Sequence, residues 1–377
     1  MKYLKVKLSD IATIKGGKRM PKGYRLQSEK NNHPYLKIKD LHGMNFEQNS
    51  LEYVPDVVFP KIKNYIVNSG NIFLSIVGTI GLVAKIPVEL DGASLTENAV
   101  KIIPKSSVNT DYLLYWLSSV KGQDSINSVS VGSTQKKLPI KNIKNIVVDL
   151  PDITIQNKIA RNIGLLDRKL SLNKQINDNL DDILTTIFEK YVNRNTYKQG
   201  SLTDIANYKN GLAMQKFRPQ EDENSLPVLK IKELNQGSTD DSSDRCSANI
   251  DPSVIVHTGD IVFSWSGTLL VKNWTGNKAG LNQHLFKVTS DKYPKWFIYE
   301  WTKYHLREFQ SIAAGKATTM GHIKRSDLKS ATVFIPDQET MSKLDKELTP
   351  IYNKRIQIIK ESKKLNGIKN TLLEQYF

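Results

Sequence analysis

The chain has 377 residues, 39% hydrophobic and 24% charged, a balance that suits two folded domains or one domain written twice and lies far from the charge-rich, apolar-poor range of disordered chains. Lys and Arg number 54 against 38 Asp and Glu, a formal charge of +16, and such an excess attracts polyanions: nucleic acid or an anionic membrane. The one cysteine, Cys246, excludes an internal disulfide and a thiolate zinc cage and fits a reducing cytoplasm, where the chain is expected.

In chain order, the opening MKYLKVKLSD lacks the pattern of a signal peptide. LSDIATIKGG, Leu8 to Gly17, then leads into a loop rich in Gly and Pro that carries Lys15, Lys18, Arg19, Lys22, Arg25, Lys30, Lys37 and Lys39 against the single acid Glu29. PYLKIKDL from Pro34 and GNIFLSIVGTIGLVA from Gly70 read as short strands. The apolar stretch Ile72 to Val88 is broken by Ser75, Gly78, Thr79, Gly81 and Lys85, too often to span a bilayer, and no lipidation signal is present, so a membrane partner is set aside. LTENAVKI from Leu95 is another strand, DYLLYWLSSV is a helix that Asp111 is placed to cap, and NIVVDL is a last strand before Pro151 and Asp152 start a long helix.

From Leu202 the same text returns. LTDIANYKNG repeats LSDIATIKGG, PVLKIKEL repeats PYLKIKDL, GDIVFSWSGTLLVKN repeats the glycine-led block, and LNQHLFKV repeats LTENAVKI. KWFIYEWTKYHL from Lys295 has the apolar spacing of the first copy's helix. DLKSATVFIPDQETMSKL, Asp327 to Leu344, matches Asn142 to Ile159, and TLLEQYF at the end matches TIFEKYV from Thr186. Several blocks in one order mean duplication, with length changes confined to loops.

Each copy ends in a helix with a heptad stripe: Ile163, Leu166, Leu170, Asn173, Asn177, Leu180, Leu184, Ile187 and Tyr191 in the first, and Leu344, Leu348, Ile351, Arg355, Ile358, Ser362, Leu365, Lys369, Leu372 and Tyr376 in the second. Neither can bury its stripe alone, so the two are expected to pair antiparallel within the molecule. Asn173, Asn177, Arg355 and Ser362 either fix the register or break a solvated face. The fold class expected is α+β: two similar mixed α/β domains, each followed by a long helix, the helices forming an antiparallel coiled coil. The expected segments are a domain over 1–150, a helix over 151–193, a linker over 194–201, a second domain over 202–335 and a second helix over 336–377. A helix of about 37 residues rises on the order of 55 Å, more than the roughly 34 Å turn of B-DNA, so such a coil is suited to space two readers of short half-sites.

This duplicated plan resembles the specificity subunits of type I restriction-modification systems over the whole chain. The residues that carry the likeness are LSDIATIKGG and LTDIANYKNG, GNIFLSIVGTIG and GDIVFSWSGTLL, and Pro151-Asp152 with Gln156, repeated as Pro336-Asp337. The second copy departs at Met341, where the pattern places a glutamine; Gln338 and Glu339 are candidates for the polar cap there. The resemblance implies two target recognition domains on an asymmetric bipartite site in double-stranded DNA. It also implies docking of two methyltransferase subunits that carry S-adenosylmethionine and methylate adenine, with restriction or translocase subunits as further partners. This chain itself is expected to bind no cofactor or metal and to catalyse nothing.

Three pairs of segments are candidate DNA contacts. In the first copy's basic loop, Lys15, Lys18, Arg19, Lys22, Arg25, Lys37 and Lys39 suit phosphates and guanine edges, the alternative being a solvated loop. Its counterpart holds Lys209, Lys216, Arg218, Lys230 and Lys232, diluted by Glu221, Asp222 and Glu223. Ser75, Gly78 and Thr79, and Ser264, Trp265, Ser266 and Thr268, lie after buried strands, where the backbone either approaches DNA or merely turns tightly. The third pair, VGSTQKK and AGKATTMGHIKR, offers Ser133, Thr134, Gln135, Lys136 and Lys137, and Lys316, Thr318, Thr319, His322 and Arg325. Gln135 suits adenine, Thr319 a thymine methyl, and the cations phosphate.

A nuclease reading rests on Pro151-Asp152 followed by Asp167, Arg168 and Lys169, but Asp167 and Lys169 fall within the heptad helix, and the second copy has Tyr352 and Lys354 in their place. The chain has no asparagine-proline-proline methyltransferase motif, no glycine-rich nucleotide loop and no paired-histidine metal helix. His33, His42, His257, His284, His305 and His322 are scattered and read as packed or surface residues. An independent DNA-binding regulator is the other alternative.

Overall fold

The computed structural model describes residues 3–132, 136–315 and 321–377. The chain folds as two compact units, residues 1–169 with 366–377, and residues 170–365.

In unit 1 a four-stranded antiparallel sheet has the order β2 (Ala12–Gly16), β8 (Ala99–Pro104), β5 (Ile72–Ser75), β6 (Val83–Lys85). The neighbouring strands are β1 (Leu4–Lys7), β3 (Pro34–Leu36), β4 (Glu52–Tyr53) and β7 (Ser94–Leu95). A second sheet runs β4-β3-β7, with β3 parallel to β7. The helices α1 (Thr110–Ser118) and α2 (Val120–Ser128) follow, then β9 (Val147–Leu150), which pairs back onto β1. The core gathers Ile72, Leu74, Val100, Ile102, Leu113 and Trp116 between sheet and helix. The long α3 (Ile153–Ile187) contributes its first part to this unit and the rest to unit 2.

Unit 2 repeats the plan. Here β10 (Lys198–Ser201) pairs with the strand before the last helix, and β11 (Asn207–Asn210), β12 (Ser225–Leu229), β13 (Arg245–Ser247), β14 (Ile255–Val256), β15 (Ile261–Ser264), β16 (Leu270–Asn273), β17 (Ala279–Leu281) and β18 (Leu285–Thr289) make two sheets. Their orders are β11-β18-β15-β16 and β13-β12-β17-β14, again with one parallel pair, β12 and β17. Then come α4 (Lys295–Tyr304), α5 (Leu306–Gly315), β19 (Thr332–Ile335) and the long α6 (Gln338–Tyr376). Matching strand order, parallel pair included, confirms the duplication read from the blocks.

The helix starts correct two expectations. Asn109, not Asp111, caps α1, its Oδ1 accepting from the Tyr112 amide at 2.9 Å; Asp111 pairs with Lys85 at 2.5 Å. At the long helices the caps are the aspartates themselves. Asp152 accepts from the Thr154 and Ile155 amides at 3.0 and 3.1 Å, and Asp337 from Thr340 at 2.8 Å, so neither Gln338 nor Glu339 is needed. Gln156 instead ties α3 to α1: buried, it accepts from the Asn109 amide (2.9 Å) and donates to the Pro151 carbonyl (2.8 Å). Met341 packs on the core of unit 2, replacing that tie with apolar contact.

Within each unit the long helices run past one another in opposite directions. In unit 1 the Asn162 amide meets the Tyr376 hydroxyl at 3.2 Å, and Asp167 accepts from Tyr115 (2.8 Å) and pairs with Lys369 (2.6 Å). Asp167 thus joins α1 and α6 to α3. In unit 2 buried Asn173 donates to Glu361 and Ser362 at 3.0 and 3.1 Å, and Asp181 pairs with Arg355 at 3.2 Å. The polar seam residues Asn173, Arg355 and Ser362 are therefore register contacts, not solvated breaks.

Arg355 also bonds Asn273 and the Tyr299 hydroxyl, both at 2.7 Å, and Lys303 bonds Asp181 at 2.6 Å. Against this cluster sits buried Glu300, which accepts from the Thr185 hydroxyl at 3.2 Å. Burial pushes its carboxyl up to about 7, with Lys303 pulling down and Asp181 pushing up. A carboxyl raised on folding supports the native state while protonated, and that support is lost as pH rises from its unfolded value through 7. Glu300→Gln is therefore expected to stabilise the protein by about 1–3 kcal/mol at pH 8 and to match it at pH 4; thermal midpoints across that range check this.

Candidate nucleic-acid interface

In unit 1 the ends of β2 and β5 converge on the short connection between β7 and β8, residues Thr96, Glu97 and Asn98. The Gly17 amide donates to the Ala99 carbonyl (3.1 Å), Lys18 to Leu95 (2.8 Å), Ile76 to Asn98 (2.8 Å), and Thr96 to Leu36 at the end of β3 (3.1 Å). A Cβ on Gly17 would overlap the carbonyls of Leu95 and Thr96, so this position admits only glycine. The result is a cleft of about 390 Å³ lined by Arg19, Tyr35, Lys37, Lys39, Glu97 and Asn98, among others.

Charge in this cleft is organised around two carboxylates. Arg19 Nε donates to Glu97 Oε1 at 2.6 Å, while Thr96 Oγ1 and Tyr35 OH lie 3.2 and 3.4 Å from Oε2. Partial burial pushes the Glu97 carboxyl up, but the Arg19 and Thr96 hydrogen bonds outweigh it and leave it below the usual carboxylate range. Tyr35 is pushed up to about 12, chiefly by burial, and donates to the Lys18 carbonyl at 2.7 Å. Lys37 and Lys39 share Glu52, Lys39 at 3.0 Å, and burial with its neighbour Lys39 lowers Lys37.

Unit 2 builds the same cleft from other side chains. Gly211 donates to Leu285 (3.0 Å), Leu212 to Leu281 (2.9 Å), Trp265 to His284 (3.3 Å) and Asn282 to Leu229 (3.0 Å), and a Cβ on Gly211 would overlap the carbonyls of Leu281 and Asn282. The lining of this cavity, about 620 Å³, includes Arg218, Lys230, Asp244, Arg245, Gln283 and His284. Lys230 pairs with Asp244 and holds that carboxyl down. Gln283 Nε2 lies 3.3 Å from His284 Nε2, and the His284 ring packs 5.9 Å from that of Trp265. Asn282, Gln283 and His284 thus stand where Thr96, Glu97 and Asn98 stand in unit 1.

The Ser75 and Ser264 hydroxyls are buried and close their own turns, donating to the carbonyls of Thr79 (2.6 Å) and Ser266 (3.1 Å). Gly78 and Gly267 turn at positive φ, 76° and 67°, and Ser266 is buried. The tight-turn alternative accounts for these residues, and Thr79 and Thr268 are left exposed on the turns. Half-buried Trp265 packs on Phe286. The third pair of loops lies against these turns in both units: Leu138 donates to the Ile76 carbonyl (2.9 Å) and Ile323 to Trp265 (3.1 Å), with Lys137 bridging to Val77 and His322 to Ser266. Ser133, Thr134, Gln135, Lys316, Thr318 and Thr319 lie outside the described residues.

Lys15, Lys18, Lys22, Arg25, Lys136, Lys137, Lys216 and Arg218 are exposed. Others are engaged by the fold: Lys209 pairs with Asp251 at 3.5 Å, Lys232 bonds Ser242 at 3.3 Å, and Arg325 donates to the Tyr208 carbonyl at 3.1 Å beside the Phe286 ring. The two triplets at 96–98 and 282–284 line the clefts and are not among the candidates read from the sequence. Their signal was present in LTENAVKI and LNQHLFKV, as polar triplets at one place in both copies with different chemistry. Among the described residues no group of three or more His, Cys, Asp or Glu is placed to hold a metal ion, and no helix is long and apolar enough to cross a membrane.

Fold and clefts together define a tandem of two basic α/β binding modules, alike in backbone and unlike in lining. The sequence pattern of the type I restriction modification DNA specificity domain matches residues 2–182 and again 195–370, and the chain belongs to that family. It is a specificity subunit, the non-catalytic recognition component of a restriction-modification complex. It is 23% identical to the type I restriction enzyme MjaIX specificity subunit of Methanocaldococcus jannaschii over 84% of this chain and 77% of that protein. It is 26% identical to the EcoBI specificity subunit of Escherichia coli over 38% of this chain and 31% of that one. The fold resembles the crystal structure of the type I restriction-modification S subunit from M. genitalium, with TM-score 0.60 at 14% identity over 100% of this chain and 96% of that one.

Because Gly17 and Gly211 let two backbones touch, Gly17→Ala or Gly211→Ala should cost about 1–3 kcal/mol of stability. Hydrogen exchange should show lost protection at Lys18 in the first variant and Leu212 in the second. Unchanged melting in both would contradict the close approach.

Proposed function

We propose that this subunit reads an asymmetric, bipartite target in double-stranded DNA, one half through each unit, and directs adenine methylation and restriction by partner subunits in the cytoplasm. The observation that carries this reading is the duplicated cleft: one backbone construction, two different sets of side chains. Identical linings would suit a palindrome; Glu97 against Gln283, and Asn98 against His284, suit two different words.

The cations divide into roles. Lys15, Lys18, Lys22, Arg25, Lys136, Lys137, Lys216 and Lys316 are assigned to phosphates and the docking pose, and Arg19, Arg218, Gln135 and Thr319, by their side-chain chemistry, to base edges. Lys37, Lys39 and Lys230, tied to neighbouring carboxylates, shape the clefts and their potential, while Lys209, Lys232 and Arg325 are engaged by the fold. Exposed Thr79 and Thr268 lie on the turns and His322 bridges to Ser266 beside one of them; Ser133, Thr134 and Thr318 are assigned as further contacts on their chemistry. Methyl transfer requires S-adenosylmethionine, which two partner methyltransferase subunits would hold; a restriction or translocase subunit would supply cleavage.

Two measurements test this. Mapping methylated adenines genome-wide, with and without this chain, should reveal one split, non-palindromic motif that disappears with the chain; an unchanged methylation map would sink the proposal. In purified complexes, Lys136→Ala should weaken cognate and scrambled duplexes alike and lower the salt-dependence slope by about 1, while Gln135→Ala should relax base choice.

A further inference from the structure

The side chains at 97 and 283 occupy one place in two clefts and differ in hydrogen-bonding sense. Glu97 is a carboxylate, an acceptor only; Gln283 offers both a donor and an acceptor. Glu97 is held in place by two groups, Arg19 and Thr96, while its side chain remains 29% exposed. Arg19 uses Nε for that bond, and its side chain is 80% exposed, so both terminal nitrogens are left to a ligand. The Arg19–Glu97 pair therefore presents a donor fork beside a carboxylate edge.

The major-groove face of a guanine–cytosine pair is the complement of that arrangement: guanine shows two acceptors, N7 and O6, and cytosine one donor, its N4 amino group. Adenine shows an acceptor and a donor together, N7 and the N6 amino group, which a glutamine amide matches in a bidentate way. We infer that Arg19 and Glu97 read one guanine–cytosine pair as a unit, and that Gln283 at the equivalent place in unit 2 reads adenine. This rests on the proposed function, since it names which side chains do the reading and which bases they take.

The fixed geometry gives the pair its selectivity. A lone exposed arginine reaches phosphate or guanine indifferently, whereas one tethered through Nε to a carboxylate has its fork oriented before DNA arrives. The same tether discourages phosphate in the cleft, because Glu97 repels it. A cytosine amino group satisfies the carboxylate; a thymine O4 would face it acceptor to acceptor.

The test is selection of duplexes from a randomised pool by the full chain in complex with its methyltransferase subunits. Native protein, Glu97→Gln, Arg19→Ala and Gln283→Glu are compared, with thermal midpoints recorded. Glu97→Gln should lose its preference for guanine–cytosine at one position of one half-site by roughly ten- to a hundredfold and move towards adenine–thymine. The other half-site should stay unchanged. Arg19→Ala, a change at an exposed side chain that the fold does not need, should relax the same position; Gln283→Glu should shift one position of the other half-site from adenine towards cytosine. A native consensus reproduced unaltered by folded Glu97→Gln and Arg19→Ala proteins would overturn the inference and leave the specificity function standing. A native complex that enriches no consensus would overturn the function itself.

Discussion

The constraint on which both clefts depend is a contact between two stretches of backbone. At Gly17 and again at Gly211 the chain presses against the carbonyls of the β7–β8 and β17–β18 connections, so closely that no side chain fits. That approach is held by amide bonds on either side, and it brings the basic segment, the turn after the central strand and a polar triplet to one edge of the sheet. A contact made by main chain is indifferent to the side chains around it. The cleft lining can therefore change from Glu97 to Gln283, or from Asn98 to His284, without disturbing the construction that presents it. Specificity is free to drift where the frame is not.

The net charge of +16 gives only the long-range part of recognition, since attraction to phosphate is blind to sequence. Near the clefts several cations are already committed: Arg19 to Glu97, Lys37 and Lys39 to Glu52, Lys230 to Asp244. Such pairs are partly exposed and add little to stability. Their effect is geometric, turning flexible chains into oriented donors at the cleft mouth. The exposed lysines outside, among them Lys22, Lys136 and Lys216, suit an approach that needs charge without direction.

Much of the fold could be read before the structure, because duplication doubles every periodic signal. The blocks at Leu8 and Leu202, Pro34 and Pro227, and Gly70 and Gly259 appear as matching strands in matching order, and the heptad stripes appear as the long helices. Details that rest on competition between neighbours were less legible. Asn109 and Asp111 both suit a cap, and only the backbone course selects Asn109. Gln156 looked like part of a helix start, but its bonds run to another helix. The triplets 96–98 and 282–284 carry no periodicity, and amides of distant segments hold them in place, so pattern alone could not single them out.

The impure seam of the long helices follows from a similar economy of specification. A stripe of leucine alone would pair with many partners and many registers. Buried Asn173 finds acceptors for its amide NH2 only where Glu361 and Ser362 face it, and Asp181 meets its ion-pair partners only where Arg355 and Lys303 reach it. In unit 1 Asp167 makes the same demand of Tyr115 and Lys369. A shift by one heptad would break each of these pairings at once. Tyr115 and Tyr299 make the control extend further, since they belong to the helices packed on each sheet and bond directly to the seam groups Asp167 and Arg355. The register of the long helices and the seating of each recognition unit on them are thus set by the same few polar atoms.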